Sequence, residues 1–128
     1  IYDPSVISYK DLLEAFWSAH DPTTLNRQGN DVGTQYRSVI FYSNDEQKML
    51  ADEYKKKLND NHAFAKPVVT AIEPFTIFYA AEDYHQDFLV NNPRYPYIVV
   101  HDLPKIKNLK LLFADSYVER PVTVKPIK

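Results

Sequence analysis

Leu25-Asn26-Arg27-Gln28-Gly29-Asn30-Asp31-Val32-Gly33-Thr34-Gln35-Tyr36-Arg37-Ser38 contains both glycines of a chain of 128 residues. At average usage a chain of this length would carry ~9 glycines. Glycine serves where φ must be positive or where another group must come close to the backbone. A chain so sparing with it elsewhere is shaping a loop here, and polar side chains on a shaped loop are where function concentrates. On composition alone two readings stand, an ordinary turn between helix and strand or a functional loop.

On the N-terminal side of this loop the sequence predicts an amphipathic helix. Ser8 suits the N-cap and Asp11 the N3 position of a capping box, with Ile7 and Leu12 as its hydrophobic staple. Leu12, Leu13, Phe16 and Trp17 make one apolar face, and Asp21-Pro22 ends the helix. On the other side residues 35–42 read as a strand with apolar side chains on both faces, as in a sheet interior.

A second helix is capped either by Ser43 with Glu46 or by Asn44 with Gln47. It runs to about Leu58 and buries Leu50, Ala51, Tyr54 and Leu58. Lys55, Lys56 and Lys57 fall in its last turn, where cations suit the macrodipole. Pro67 and Pro74 bracket a strand over residues 68–72. Residues 80–89 read as a short helix with Ala81, Tyr84, Phe88 and Leu89 on its apolar side. A last helix begins near Pro104, with Asp102 close to its cap and Ile106, Leu109, Leu112 and Phe113 facing a core. Alternating helices and strands predict an α/β (α+β) sandwich, a small mixed sheet with packed helices. One domain over residues 1–118 and an extended tail over 119–128 are expected.

Hydrophobic residues at 45% and charged residues at 25% describe a folded chain of ordinary composition. A net charge of −2 and a pI near 6.1 supply no basic field for nucleic acid, and no apolar run approaches the ~20 residues of a membrane span. There is no cysteine, which excludes disulfides, thiolate metal ligands and thiol nucleophiles within these residues. The opening Ile1-Tyr2-Asp3-Pro4 reads as a strand end entering a turn, so the chain is expected to be a piece of a longer one.

Chemistry-bearing motifs are few. The glycines fit neither a P-loop nor a dinucleotide fingerprint. Glu82 and His85 would be i,i+3 on a helix, half of a di-iron carboxylate pattern, but a lone pair of this kind is commonly a surface hydrogen bond. No metal is expected. Asp31 and Tyr36, joined by a short bend, are expected to face one pocket. The tyrosine would donate to a ligand oxygen, and the aspartate would accept hydrogen bonds or hold a catalytic group. Such groups orient and polarise a substrate but none is a good nucleophile, so the residues describe half of a site.

His20-Asp21-Pro22-Thr23-Thr24 and Arg27-Gln28-Gly29-Asn30-Asp31-Val32-Gly33-Thr34-Gln35-Tyr36-Arg37-Ser38 closely resemble the signature of the A-class peptide methionine sulfoxide reductases. So do Phe16-Trp17-x-x-His20 and Phe78-Tyr79-x-Ala81-Glu82-x-Tyr84-His85-Gln86. The similarity also takes in Tyr2-Asp3-Pro4 and the stretch 92–105, ending before a tail that starts near Tyr117.

The resemblance implies part of a ferredoxin-like reductase domain that returns free or peptide methionine S-sulfoxide to methionine. It implies no bound cofactor, and thioredoxin or another thiol as reductant. The implied partners are oxidised proteins or free methionine sulfoxide and thioredoxin, for a monomer in the cytoplasm. It assigns Tyr36 as a donor to the sulfoxide oxygen and Asp31 as the active-site aspartate. Gly29 and Gly33 let the loop approach the site, and Gln28 and His85 bind substrate or shape the loop. The family's Gly-Cys-Phe-Trp motif, with its nucleophilic cysteine, is absent: Phe16-Trp17 follows Ala15 and matches a later helix. The chain is therefore expected to be the C-terminal two-thirds of a reductase, inactive alone. Two other readings remain, a non-catalytic module that keeps part of a sulfoxide pocket and an unrelated hydrolase using Asp31 and His85.

Overall fold

The computed structural model describes residues 1–124. They form two compact units, Ile1–Thr76 and a second beginning at Ile77.

The first unit opens with a turn over Asp3, whose Oδ1 accepts the Ser5 N–H at 2.8 Å and its hydroxyl at 2.6 Å. No strand end precedes this turn, contrary to the expectation for Ile1-Tyr2-Asp3-Pro4. Helix α1, Tyr9–Ser18, starts with the expected capping box: the Ser8 hydroxyl accepts the Asp11 N–H and the Asp11 carboxylate accepts the Ser8 N–H. The Ser8 hydroxyl, 2.6 Å from Asp11 Oδ2, and then the Ser8 N–H hold the Asp11 carboxyl below its usual pKa. The helix ends before Asp21-Pro22, at Ser18, because side chains take its last carbonyls. Ser18 Oγ donates to the Glu14 carbonyl and His20 Nδ1 to that of Phe16, each at 2.7 Å.

Strands β1, Arg27–Gln28, and β2, Asp31–Val32, pair antiparallel within the glycine-bearing loop. A 3₁₀ turn follows at Thr34–Tyr36, and β3 occupies only Val39–Tyr42. The expected strand over residues 35–42 is thus shortened, since the first of those residues close the turn onto Gly33. Helix α2, Asp45–Asp60, settles the two capping alternatives: Asn44 Oδ1 accepts the Gln47 N–H at 2.9 Å, and Gln47 Oε1 accepts the Ser43 N–H at 2.8 Å.

Strand β4 lies at Ala71–Pro74, parallel to β3, with Ile40 opposite Ile72. The strand expected over 68–72 starts late because its first N–H groups bond elsewhere. Val68 donates to Asn59 Oδ1 at 2.7 Å and Val69 to the Pro22 carbonyl at 2.9 Å.

β3, α2 and β4 make a parallel crossover, and α1 packs beside α2 over one core of Leu13, Trp17, Ile40, Ala51 and Val68. The Trp17 and Tyr54 rings stack at 5.2 Å between centroids and 8° between planes. Helices on a small sheet are the α/β arrangement expected, with one antiparallel and one parallel strand pair.

In the second unit helix α3 is only Phe88–Asn91. The helix expected over 80–89 does not form in its first part. Asp87 sits in the left-handed region at φ 55°, and residues 82–86 form turns closed by His85 N–H to the Glu82 carbonyl at 2.9 Å. Ala81 and Tyr84 are accordingly exposed. A π-helical turn, Ile98–Asp102, leads into α4, Leu103–Leu112, where Pro104 lies in the first turn and Asp102 makes no side-chain cap. Ile106, Leu109 and Phe113 are half-buried, while Leu112 is exposed. Of the expected tail, residues 119–124 carry no helix or strand, and 125–128 lie outside the described residues. No helix among the described residues is long and apolar enough to cross a membrane.

Candidate functional site

The glycine-bearing loop is built from its own backbone. Gly29 takes φ +57° at the β1–β2 bend, and its carbonyl accepts from Arg27 Nε at 2.7 Å. Gly33 takes φ +145° and ψ 160°, a region open in practice only to glycine. Its N–H reaches the Asn26 carbonyl at 2.9 Å, and its carbonyl accepts the Tyr36 N–H at 3.0 Å. Thr24 Oγ1 donates to the Arg27 carbonyl at 2.7 Å, tying the hairpin to the turn before it.

On this frame Asp31 stands opposite Gln28 in the β ladder, with its side chain exposed. Tyr36 ends the 3₁₀ turn and is 41% exposed. The two side chains given catalytic roles in the sequence therefore stand on one loop, both exposed. Gln28 is different: both atoms of its amide are taken by one residue. Its Oε1 accepts the Asp21 N–H at 3.1 Å and its Nε2 donates to the Asp21 carbonyl at 3.0 Å.

His85 belongs to the second unit. It lines a hollow of about 460 Å³ with Phe88, Leu89, Tyr97, Ile98 and Asp102, and its ring lies 4.3 Å from that of Tyr84. Glu82 and His85 share a turn and not a helix face, so the half-motif spacing does not form. Among the described residues no three His, Asp or Glu side chains gather as a metal site would require.

Four residues unassigned in the sequence support the loop from beneath. His20 Nε2 lies 2.7 Å from Ser38 Oγ, Ser38 Oγ lies 2.8 Å from Thr70 Oγ1, and Trp17 Nε1 donates to Thr70 Oγ1 at 2.9 Å. The Phe16 carbonyl only accepts, so His20 Nδ1 carries a proton. In a neutral ring Nε2 then accepts from the Ser38 hydroxyl, Ser38 accepts from Thr70, and Thr70 accepts from Trp17. Every donor has one acceptor, and the chain of bonds begins and ends at neighbouring residues, Trp17 and Phe16. Thr70 is 0% exposed, so its hydroxyl depends on these partners and not on water. Lys55 Nζ further holds the Thr70 carbonyl at 2.7 Å. The sequence signal for this network was His20 beside Asp21-Pro22, which there marked a helix end and part of the family signature but carried no site role.

Asp21 is held below its usual pKa, first by the Thr23 hydroxyl and then by the Thr23 N–H, at 2.7 and 2.9 Å.

Residues 1–116 match the family profile described as peptide methionine sulfoxide reductase. A peptide methionine sulfoxide reductase MsrA 2 of Mesorhizobium japonicum is 55% identical over 124 residues, 96% of this chain and 64% of that protein. The MsrA relative in Methanothermobacter thermautotrophicus is 59% identical over 93 residues, 73% of this chain and 55% of its own length. Among solved structures, reduced Mxr1 of Saccharomyces cerevisiae matches with a TM-score of 0.68 at 40% identity, over 73% of this chain and 51% of that one. The chain thus spans between about half and two-thirds of these relatives.

Proposed function

The chain belongs to the peptide methionine sulfoxide reductase family, and on that premise we propose that it supplies the oxygen-polarising half of a reductase acting on methionine S-sulfoxide. It holds no thiol, so the nucleophilic cysteine comes from sequence outside these residues, and the chain alone is inactive. Residues 1–118 then form one part of a single reductase domain, with 119–128 as its tail.

In the proposed reaction a cysteine thiolate attacks the sulfoxide sulfur and the oxygen ends on the cysteine as a sulfenic acid. Methionine sulfur gains two electrons and cysteine sulfur loses two. One reductant thiol converts the sulfenic acid to a disulfide and water, and a second restores the thiolate. Tyr36 donates to the sulfoxide oxygen, which carries growing negative charge during attack. Asp31 holds the thiol-bearing segment or its proton, Gly29 and Gly33 shape the approach, and Gln28 and His85 keep the substrate-binding or loop-shaping roles that the resemblance implies. The substrates are oxidised proteins or free methionine sulfoxide, the reductant is thioredoxin or a similar thiol, and the working state is a monomer. A thiol-recycled reductase suits a reducing compartment such as the cytoplasm.

The observation that carries this reading is the glycine-shaped loop presenting Tyr36 at 41% exposure. In the full-length enzyme Tyr36→Phe is expected to lower kcat on an S-sulfoxide by about 10–1,000-fold, with the fold intact by circular dichroism. Unchanged turnover removes Tyr36 from the chemistry. The absence of cysteine favours a second reading, a binding module that keeps part of the pocket. A Gly-Cys-Phe-Trp encoded shortly upstream of Ile1 decides for the enzyme, and an intact gene without it decides for the module.

A further inference from the structure

Two consecutive residues hold the two ends of the site loop. The Asp21 backbone clasps Gln28 with two hydrogen bonds of 3.1 and 3.0 Å at one end. The His20 ring engages Ser38 at 2.7 Å at the other. Everything between them, including Asp31 and Tyr36, is braced internally by the Gly33, Arg27 and Thr24 bonds. Beyond these bonds the Ser38 carbonyl accepts the Ala71 N–H at 2.9 Å and Arg37 meets Glu73 at 3.1 Å, so the side-chain anchors of His20 and Asp21 act together with these contacts in placing the loop. His20 is in turn fixed by the Phe16 carbonyl, and Asp21 by Thr23.

We propose that His20 and Asp21 are positioning residues that pin both ends of the 28–38 loop to the end of α1 and so set where Tyr36 and Asp31 stand. The Gln28 amide is the counterpart of one pin and the Ser38 hydroxyl of the other. His20 does its part with Nδ1 protonated toward the Phe16 carbonyl, which turns Nε2 to the Ser38 hydroxyl. This inference rests on the reductase reading for its consequence, but the pins themselves are a property of this chain.

Three variants separate pinning from general stability. His20→Asn keeps an amide near the Nδ1 position but falls short of Ser38. His20→Gln extends an amide to the Nε2 position and is expected to restore that contact. Gln28→Met has the length of glutamine without its hydrogen bonds and touches only the other pin.

In NMR spectra of this chain, the His20 ring is expected to show Nδ1 protonated and Nε2 hydrogen-bonded to the Ser38 hydroxyl. Backbone order parameters over residues 30–36 are expected to fall from about 0.85 to below about 0.6 in His20→Asn and Gln28→Met, to recover in His20→Gln, and to stay unchanged around Ala51. In the full-length enzyme His20→Asn lowers kcat by about 10–100-fold with little change in KM, and His20→Gln regains most of it.

A His20 Nε2 that makes no hydrogen bond to the Ser38 hydroxyl overturns the Ser38 pin. Loop order that survives either loss variant, or that falls together with the core, overturns the positioning role. Should His20→Asn fail to fold, Gln28→Met and the wild-type spectrum still decide. Failed pins with Tyr36→Phe still crippling leave the reductase reading standing, while intact pins with Tyr36→Phe fully active overturn that reading alone.

Discussion

His20 Nε2 and Ser38 Oγ, 18 residues apart in the chain, meet at 2.7 Å. That contact closes the loop that carries Tyr36 and joins it to the buried pair of Trp17 and Thr70. A polar network inside a small core has all-or-none consequences, because each orphaned buried group costs its full desolvation.

Thr70 is the test of that network. Thr70→Val keeps shape but leaves the Trp17 N–H and one side of Ser38 unserved, and should destabilise the chain by about 1–3 kcal/mol. Thr70→Ser keeps the hydroxyl and should cost about 1 kcal/mol for the lost methyl. Urea denaturation of both variants compares them directly, and equal losses would mean that the hydrogen bonds contribute nothing measurable.

The two glycines should differ. Gly33 lies at φ +145°, where a Cβ would also stand 2.2 Å from Gln35 Oε1. Gly33→Ala is expected to cost about 1–3 kcal/mol, the strain of that backbone region. At Gly29 a Cβ meets nothing within 4 Å and φ is +57°, a region that asparagine tolerates. Gly29→Asn should therefore cost less than about 1 kcal/mol, read from the same urea midpoints.

Acid should loosen the end of α1 that grips the loop. Asp21 titrates below its ordinary 3.8 in the folded chain. A depressed carboxylate stabilises the fold above the unfolded value, and that contribution disappears as pH falls through the folded value. The expected window is therefore below pH 3.8. A titration followed by NMR should show the Asp21 carboxyl and the Thr23 amide shifting together there. The capping pair Ser8 and Asp11 follows the same sign, since Asp11 is also held below 3.8. A Thr23 amide that moves only at higher pH would contradict the assignment.

Local order was largely written in the sequence. The Ser8 and Asp11 box, the second helix and the two glycines all depend on neighbours within a few residues, whereas the parallel pairing of β3 with β4 joins residues 32 apart. The loop motif likewise carried the family resemblance, because its unusual residues lie side by side. Which of two local partners won was not legible: Asn44 rather than Ser43 capped α2, and the His20 ring took the Phe16 carbonyl at the end of α1. Tertiary contacts decided the rest, and β4 began late because the Val69 N–H bonds the distant Pro22 carbonyl. The helix expected over 80–89 failed where Asp87 turned left-handed. Thr70 looked like one more strand residue, yet at 0% exposure it is the hinge between Trp17 and Ser38. A polar side chain becomes structural only when burial removes its water, and burial is set by what the distant chain brings against it.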